Sequence, residues 1–194
     1  MATVFAGPRE VLDFWYADDT SAHWFAAEAG FDDTVRERFA DTFEAALRGE
    51  LDGWAGTPEG WLALLLVLDQ FGRNIHRGTA RAFAGDVRAQ ALAMAGLARG
   101  DDLRLPRLWR MFAYLPLEHA EDLRLQQHSV TRFRALAVQA PANEAALYRR
   151  FLDYALRHCE VVTRYGRFPH RNAALGRIDT DEERAYLAQP DTGF

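Results

Sequence analysis

Side chains able to bind an anion or transfer a proton are concentrated in three short motifs. The first is LDQFGRNIHRG at residues 68–78, directly after a strongly apolar stretch. It carries five polar groups, which are Asp69, Gln70, Arg73, Asn74 and Arg77. Polar groups at the end of a buried segment must find partners, and Asp69 and Arg73 are spaced to pair along a helix. The motif is therefore either a ligand-binding set or a group of side chains that closes its own turn.

The second motif, LPLEHAED at residues 115–122, combines carboxylates with an imidazole. Helical spacing predicts Glu118 beside Glu121 and Asp122, with His119 beside Asp122 on the same face. Clustered carboxylates raise one another's pKa, and together with a histidine they provide general acid and base groups. Glu118 and His119 are therefore candidate catalytic residues. The alternative is an exposed helix start or a structural ion pair, because acids in a first turn also stabilise the helix dipole.

A metal site is a further alternative for the second motif. Its ligands would be Glu118, Glu121, Asp122 and either His119 or His158. The order of these residues matches neither HExxH nor ExxH. We therefore predict no metal and no other cofactor.

The third motif is YGRFPHRNAALGR at residues 165–177, where a glycine ends a helix and a proline fixes a turn. Arginine binds carboxylate or phosphate through a planar, bidentate fork. We expect Arg167, Arg171 and Asn172 to contact a ligand. His170 is a third candidate catalytic group. Alternatively, the arginines bridge to the acids of the second motif and hold the C-terminal segment in place.

The rest of the sequence excludes several kinds of catalysis. All 23 basic residues are arginine, which removes Schiff-base chemistry, a lysine base and the phosphate-loop lysine. Ser21 and Ser129 are the only serines, and neither lies in a GxSxG setting. The single cysteine, Cys159, follows His158 late in a long helix, where a thiol is more often a small buried hydrophobe than a nucleophile.

Composition also limits the partners and the location. A formal net charge of -5 and a pI near 5.7 provide no general basic face, so no nucleic-acid binding is predicted. The longest apolar stretch, residues 61–68, is far shorter than the roughly 20 residues that span a bilayer, so we predict no membrane insertion. A lone cysteine and the lack of a recognisable signal sequence make the cytoplasm the expected compartment.

The motifs must be positioned by helices, because apolar residues recur at helical spacing almost throughout. No run with period-two alternation is long enough for a convincing strand. We predict an all-α single domain over residues 1–194, with about seven to nine helices in antiparallel pairs. The boundary signals are Pro8, a cap at Asp32 or Asp33, Thr57 with Pro58, a stop at Gly72, a break at Pro116, and a capping box of Thr180 and Glu183.

In this order, the segments resemble the bacterial domain-of-unknown-function family nine-two-four, of the tetratricopeptide-like superfamily. The similarity extends from about Val11 to Phe194, through VLDFWY, the Trp24 and Phe25 pair, FDDTVRERF, GELDGW, LLLVLDQFGRNIHRGTARAFAGD, LPLEHAEDLRLQQHSV and RYGRFPHRNAALGR. The family pattern usually has proline at Gly72 and phenylalanine at His76. The resemblance implies a right-handed, tetratricopeptide-like stack of helical pairs around a concave face. It implies no reaction, since a fold does not fix a function.

Three functional hypotheses follow, in ranked order. In the first, the three motifs line one cleft for a small anionic metabolite, and His119 paired with a carboxylate moves a proton. In the second, a concave helical surface binds a peptide or protein partner, and the polar motifs only brace the fold. The metal site is third. Apolar helix faces without an evident neighbour also favour a homodimer. The sequence does not decide whether the protein is an enzyme.

Overall fold

The computed structural model describes residues 5–24, 28–190 and 192, and all regular structure in these ranges is helical, with no strand. The predicted all-α class is therefore confirmed. Two residues of the family-like segments, Phe25 and Phe194, lie outside the described residues. In the same ranges, no helix has both the length and the apolar character needed to cross a bilayer.

Packing divides the chain into two compact units. Unit 1 consists of Met1–Arg77 and Arg81–Pro116, and unit 2 consists of Gly78–Ala80 and Leu117–Phe194. The polar residues of the first motif belong to unit 1, whereas those of the second and third motifs belong to unit 2. A single domain over residues 1–194, a right-handed tetratricopeptide-like stack and a cleft shared by all three motifs stay predictions.

Unit 1 is built from helices joined by short connections. Its α-helices are α1 Pro8–Trp15, α2 Asp18–Ser21, α3 Ala29–Leu47, α4 Pro58–Leu65, α5 Gly72–Ile75, α6 Asp86–Arg99 and α7 Arg107–Glu118, whose last two residues belong to unit 2. A π-helix, Leu66–Phe71, joins α4 directly to α5. 3₁₀ turns occur at Asp52–Gly56, Asp101–Arg104 and Ala80–Phe83, the last of which begins with a residue of unit 2. Large aromatic side chains form the centre of this unit, including the fully buried Trp15, Trp61, Phe39 and Phe71.

The central apolar helix begins where the sequence predicts and continues further than predicted. The hydroxyl of Thr57 accepts the Gly60 N–H at 3.1 Å, and Pro58 occupies the first turn. Gly72 does not end the helix, because its backbone is helical and the chain continues to Ile75. A Cβ at Gly72 would lie 2.9 Å from the ring of Phe43, so this glycine permits close packing instead of termination.

The start of α3 and the end of α7 also differ from the predictions. α3 begins at Ala29, and neither Asp32 nor Asp33 is its cap. The N-cap is Glu28, and Asp32 lies in the first turn, where its carboxylate binds side chains of the first motif. Pro116 does not break α7, which continues for two more residues to Glu118.

Unit 2 is dominated by two long helices that pack along each other. These are α8 Leu123–Val138 and α9 Ala145–Tyr165, and their short connection makes them an antiparallel pair. Gly166 ends α9 with a φ of 69°, as predicted for a C-terminal glycine. A 3₁₀ turn, Pro169–Arg171, and the short helix α10 Asp181–Leu187 follow. The predicted capping box of Thr180 and Glu183 is confirmed at the start of α10.

Candidate functional site

The polar residues of the first motif are engaged in ion pairs inside unit 1. Nη1 and Nη2 of Arg73 donate to the two carboxylate oxygens of Asp86 at 3.0 and 3.2 Å. The same Nη1 lies 3.1 Å from Oδ1 of Asp69 and donates to the Asp69 carbonyl oxygen at 2.6 Å. Asp69 and Asp86 are both buried, so a single guanidinium neutralises two carboxylates. These contacts support the interpretation that the motif closes its own turn.

Asp32 of α3 holds the other end of the first motif. Nδ2 of Asn74 donates to Oδ1 of Asp32 at 2.8 Å, and Arg77 binds both oxygens at 2.5 and 2.7 Å. Burial alone would raise the pKa of Asp32, but the hydrogen bonds from Arg77 and Asn74 outweigh it and lower that pKa. Gln70 donates from Nε2 to Oδ2 of Asp69 at 2.5 Å. All five predicted ligand-binding residues of this motif therefore contact neighbouring side chains.

The second motif does not form one helical face, which corrects the predicted arrangement. α7 ends at Glu118, and Asp122 is the N-cap of the next helix, α8. Its Oδ1 accepts the backbone N–H groups of Arg124 and Leu125 at 2.8 and 3.2 Å. Because a cap residue has extended backbone angles, the helical spacing across the motif is broken there. Glu118, Glu121 and Asp122 consequently have three different roles.

Glu121 connects the second motif to the third. Its Oε1 accepts the backbone N–H of Phe168 at 2.8 Å. Arg177 donates from Nη1 to Oε2 at 2.6 Å and from Nη2 to Oε1 at 2.9 Å. Burial would raise the pKa of Glu121, but the hydrogen bonds from Arg177 and Phe168 lower it. The predicted bridge between the arginines of the third motif and the acids of the second is confirmed at this pair.

Two predicted ligand-binding residues of the third motif instead contact Glu183 of α10. Arg167 donates from Nε and Nη2 to the two carboxylate oxygens at 2.6 and 2.7 Å. Nδ2 of Asn172 lies 3.3 Å from Oε2, which also accepts the Thr180 N–H at 2.8 Å. The hydrogen bond from Arg167 lowers the pKa of Glu183 to about 2. These contacts fasten the C-terminal helix to the loop.

The remaining residues of the second and third motifs meet around His158 of α9. Nδ1 of His158 lies 3.3 Å from Oε1 of Glu118 and 2.8 Å from the carbonyl oxygen of Tyr154. Both Glu118 and His158 are buried. We use the name histidine cluster for Glu118, His119, His158, Phe168, His170 and Arg171.

Phe168 is the ring around which the histidine cluster is arranged. Its centroid lies 5.5 Å from that of His158 and 5.5 Å from that of His170. Cζ of Arg171 lies 4.5 Å from the same centroid, which is a cation–π distance. The rings of His119 and His158 are 6.1 Å apart. Unit 2 thus brings together the three candidate catalytic residues of the sequence analysis.

The contacts of His158 determine how it can carry a proton. A carbonyl oxygen only accepts hydrogen bonds, so the contact with Tyr154 requires a proton on Nδ1. In the neutral ring, Nε2 then bears the lone pair and is the basic atom. Burial lowers the pKa of His158 well below its usual value, and the nearby charge of His119 adds to this effect. At neutral pH, His158 is therefore an uncharged imidazole beside the side chain of Glu118.

His158 is not among the catalytic residues that the sequence predicts. The signal was present, because His158 occupies the core-facing stripe of α9 together with Tyr148, Ala155 and Val162. A histidine at a stripe position is expected to be buried and to require polar partners. The sequence could not reveal that Glu118, forty residues earlier, is one of those partners.

The metal alternative has no geometric support among the described residues. In that part of the chain, no group of three or more His, Cys, Asp or Glu side chains is arranged to hold a metal ion. Glu121 is bound to Arg177, and Asp122 accepts backbone N–H groups, so neither carboxylate faces an open coordination site.

Fold and site together define an all-helical protein with a buried glutamate–histidine pair flanked by two further histidines. The family model described as "Bacterial protein of unknown function (DUF924)" matches residues 11–191, and the chain belongs to this family. The chain is also similar to a solved structure titled "Structure of Protein of Unknown Function ATU0120 from Agrobacterium tumefaciens". The two are 40% identical, with a TM-score of 0.83 over 93% of this chain and 96% of that chain. A search of the curated proteins found no match.

Proposed function

We propose that the histidine cluster is an acid–base site for a small anionic ligand that carries a carboxylate or phosphate group. The proposal is carried by one observation, the 3.3 Å contact between Nδ1 of His158 and Oε1 of Glu118 in a buried setting. A histidine oriented by a carboxylate is a recurrent means of moving protons in enzymes. The two further histidines of the cluster, whose side chains are only half-buried, also support the proposal.

The half-buried histidines are the groups that can reach a ligand. In the proposed mechanism, His119 and His170 exchange protons with the bound molecule, since both retain access to solvent. Glu118 and His158 are positioning residues behind them. The Glu118 carboxylate stabilises positive charge that develops on the imidazoles, because opposite charges attract strongly where water is excluded.

Arg171 is the group proposed to bind the anion. Its side chain is buried, and its Cζ lies 4.5 Å from the centroid of the Phe168 ring, within cation–π distance. A guanidinium recognises a carboxylate or phosphate through two parallel hydrogen bonds. The ligand-binding role first assigned to Asp69, Gln70, Arg73, Asn74, Arg77, Arg167 and Asn172 stays a prediction. Their ion pairs and hydrogen bonds favour the bracing role instead.

A thermal-shift screen tests the proposal. Inorganic phosphate, acetate and a panel of phosphorylated and carboxylated metabolites would be added to the purified protein. A specific ligand at 100 times its Kd stabilises the folded state by about 2.7 kcal/mol. We expect the shift to be lost in His119→Gln and His170→Gln, and retained in His128→Gln, which changes a histidine of α8 outside the cluster.

The proposal fails if no probe raises the melting temperature, or if the shift survives in both cluster variants. Because His119 and His170 are half-buried, their replacement by glutamine is not expected to unfold the protein. A binding curve by calorimetry on any probe that gives a shift separates specific binding from a general salt effect.

The second candidate, a module that binds a peptide or protein partner, is favoured by one surface feature. A groove of about 530 Å³ runs along α8 and α9. It contains apolar side chains with an arginine among them, as expected for a partner-binding surface. Cys159 lines the same groove. As the lone cysteine of the sequence, it favours a reducing compartment such as the cytoplasm.

A further inference from the structure

The connection between α7 and α8 carries His119, one of the two histidines proposed to exchange protons with a ligand. α7 ends at Glu118, and α8 begins at Leu123 after its N-cap, Asp122. The last carbonyl groups of a helix have no partner within that helix, so they need one from elsewhere when they are buried. Glu118 and Ala120, the residues directly before and after His119, are both buried. The backbone around His119 therefore needs support from groups outside α7.

The side chain of Gln126 in α8 provides that support. Its Nε2 donates to the carbonyl oxygen of Glu118 at 2.5 Å and to that of Ala120 at 2.7 Å. A primary amide nitrogen carries two hydrogens, so each of the two carbonyl groups receives one. A single side chain thus binds the backbone on both sides of His119.

Gln126 lies in the core of unit 2. Its side chain is fully buried, and it belongs to the buried stripe of α8 together with Ser129 and Phe133. A buried amide needs hydrogen-bond partners, whereas an apolar side chain at this position would need none. Only the nitrogen end of the amide can donate, so the two carbonyl oxygens also determine which way the amide is turned. Both sides of the contact therefore have a defined orientation.

We infer that Gln126 is a positioning residue of the histidine cluster, because it orients the backbone from which the ring of His119 projects. The direction of a side chain depends on the backbone angles of its own residue. With the carbonyl groups of Glu118 and Ala120 bound, the ring of His119 is kept at its distance of 6.1 Å from the ring of His158. Groups that react must be held within about 0.5 Å of the productive geometry. The inference rests on the acid–base proposal, since the role of Gln126 is to serve that site.

Gln126 also acts on the pair of Glu118 and His158. The carbonyl oxygen of Glu118 accepts from Gln126, and its carboxylate Oε1 lies 3.3 Å from Nδ1 of His158. Glu118 is therefore held at both its backbone and its side chain. Losing the hydrogen bond from Gln126 would free the backbone and loosen the contact with His158.

Gln126→Met tests the inference by NMR of the histidine rings. Methionine has a similar length and volume but no N–H group, so the core stays filled while both donated hydrogen bonds are lost. In the unmodified protein, ring protons of His119 and His158 should show a nuclear Overhauser effect, because the ring centroids are 6.1 Å apart. We expect this effect to be lost in Gln126→Met, since the ring of His119 is no longer held in place.

Leu136→Ala is the matched control for a general loss of stability. Leu136 is buried on the same helix as Gln126, about 15 Å further along its axis. Both variants should be less stable than the unmodified protein in urea unfolding, because one loses buried hydrogen bonds and the other leaves a cavity. The nuclear Overhauser effect between His119 and His158 should nevertheless persist in Leu136→Ala.

A measurement on the unmodified protein decides the inference if Gln126→Met does not fold. A hydrogen bond transmits a small scalar coupling from the donor nitrogen to the carbonyl carbon of the acceptor. Nε2 of Gln126 should therefore be coupled to the carbonyl carbons of both Glu118 and Ala120. Coupling to only one of them, or to neither, would overturn the inference.

The results in the variants can overturn it in two further ways. One is a nuclear Overhauser effect that is absent already in the unmodified protein, or that survives in Gln126→Met. The other is an effect that is lost equally in Leu136→Ala. None of these measurements needs a ligand. A thermal-shift screen without a hit would therefore refute the acid–base proposal alone, whereas these results would refute the role of Gln126 alone.

Discussion

The backbone of Gly96 in α6 lies directly against the indole of Trp61 in α4. A Cβ at Gly96 would lie 2.1 Å from Cε2 of that indole, well inside any real atomic contact. Nε1 of Trp61 donates to the carbonyl oxygen of Leu92, one turn earlier in α6, at 2.8 Å, so a hydrogen bond also fixes the ring against this helix. α4 and α6 can therefore approach each other only because position 96 has no side chain.

Replacing Gly96 with alanine is predicted to destabilise the protein strongly. Overpacking a well-filled core costs about 1–3 kcal/mol or more, and Trp61 is fully buried with a fixed hydrogen bond, so it cannot move aside cheaply. Gly30→Ala in the first turn of α3 is the control, because a Cβ there meets nothing within 4 Å. In urea unfolding, the free energy of unfolding should fall strongly for Gly96→Ala and stay unchanged for Gly30→Ala. Equal effects would contradict the packing argument.

Local signals allowed several boundaries of the fold to be predicted from the sequence. Thr57 with Pro58, Gly166, and the pair Thr180 with Glu183 each act within one turn of chain, so their residue types are sufficient evidence. The helix end predicted at Gly72 is wrong, because glycine occurs both where helices end and where they pack closely. The two uses differ only in what lies opposite, which here is Phe43 of another helix.

The site was less predictable because its contacts join distant parts of the chain. The residue types of the second and third motifs were identified, and Arg177 does bind Glu121 across 56 positions. The assumed helical face failed because Asp122 begins a new helix. Which arginine binds which acid depends on tertiary packing, which residue spacing along one helix does not encode.

Removing the guanidinium of Arg73 should be costly, because it leaves Asp69 and Asp86 buried without their shared cation. Breaking a buried ion pair from one side typically costs about 3–5 kcal/mol. We expect Arg73→Met to lose stability in that range in urea unfolding. Arg9→Met is the matched control, since the pair of Arg9 with Asp13 is largely exposed and is worth about 0–1 kcal/mol. A small effect at Arg73 would instead favour the ligand-binding role predicted from the sequence.

Glu183 should make unit 2 sensitive to acid. Its pKa is lowered to about 2, chiefly by the hydrogen bond from Arg167, against a value of 4.5 for an ordinary glutamate. A lowered pKa in the folded state gives stability that is complete above pH 4.5 and is lost as the pH falls towards 2. Glu183→Gln should therefore be less stable than the unmodified protein at neutral pH, and this difference should shrink in acid.

Chemical denaturation from neutral to acidic pH would measure that difference. Glu182→Gln is the control, because Glu182 is an exposed neighbour in the same helix and in the same acidic first turn. A difference between the Glu183→Gln variant and the unmodified protein that stays constant with pH would show that the carboxylate charge is not what fastens α10.

His158 is predicted to give acid sensitivity of the same sign as Glu183 but at higher pH, because here the folded state favours the neutral form of the group. Burial lowers its pKa well below 6.5, so the unfolded chain takes up a proton at a higher pH than the folded protein does. Stability from this group is complete above pH 6.5 and is lost as the pH falls towards the folded-state pKa. His158→Gln keeps a polar side chain but cannot titrate, so the stability difference between the two proteins should narrow in acid. His76, whose pKa is also lowered, is present in both proteins and cancels in the comparison of their stabilities.

Nitrogen NMR of the histidine rings provides the direct check, since it should report a neutral His158 with its proton on Nδ1 at pH 7. A proton on Nε2, or a charged ring at that pH, would contradict the positioning role proposed for the Glu118–His158 pair and leave that contact a purely structural one.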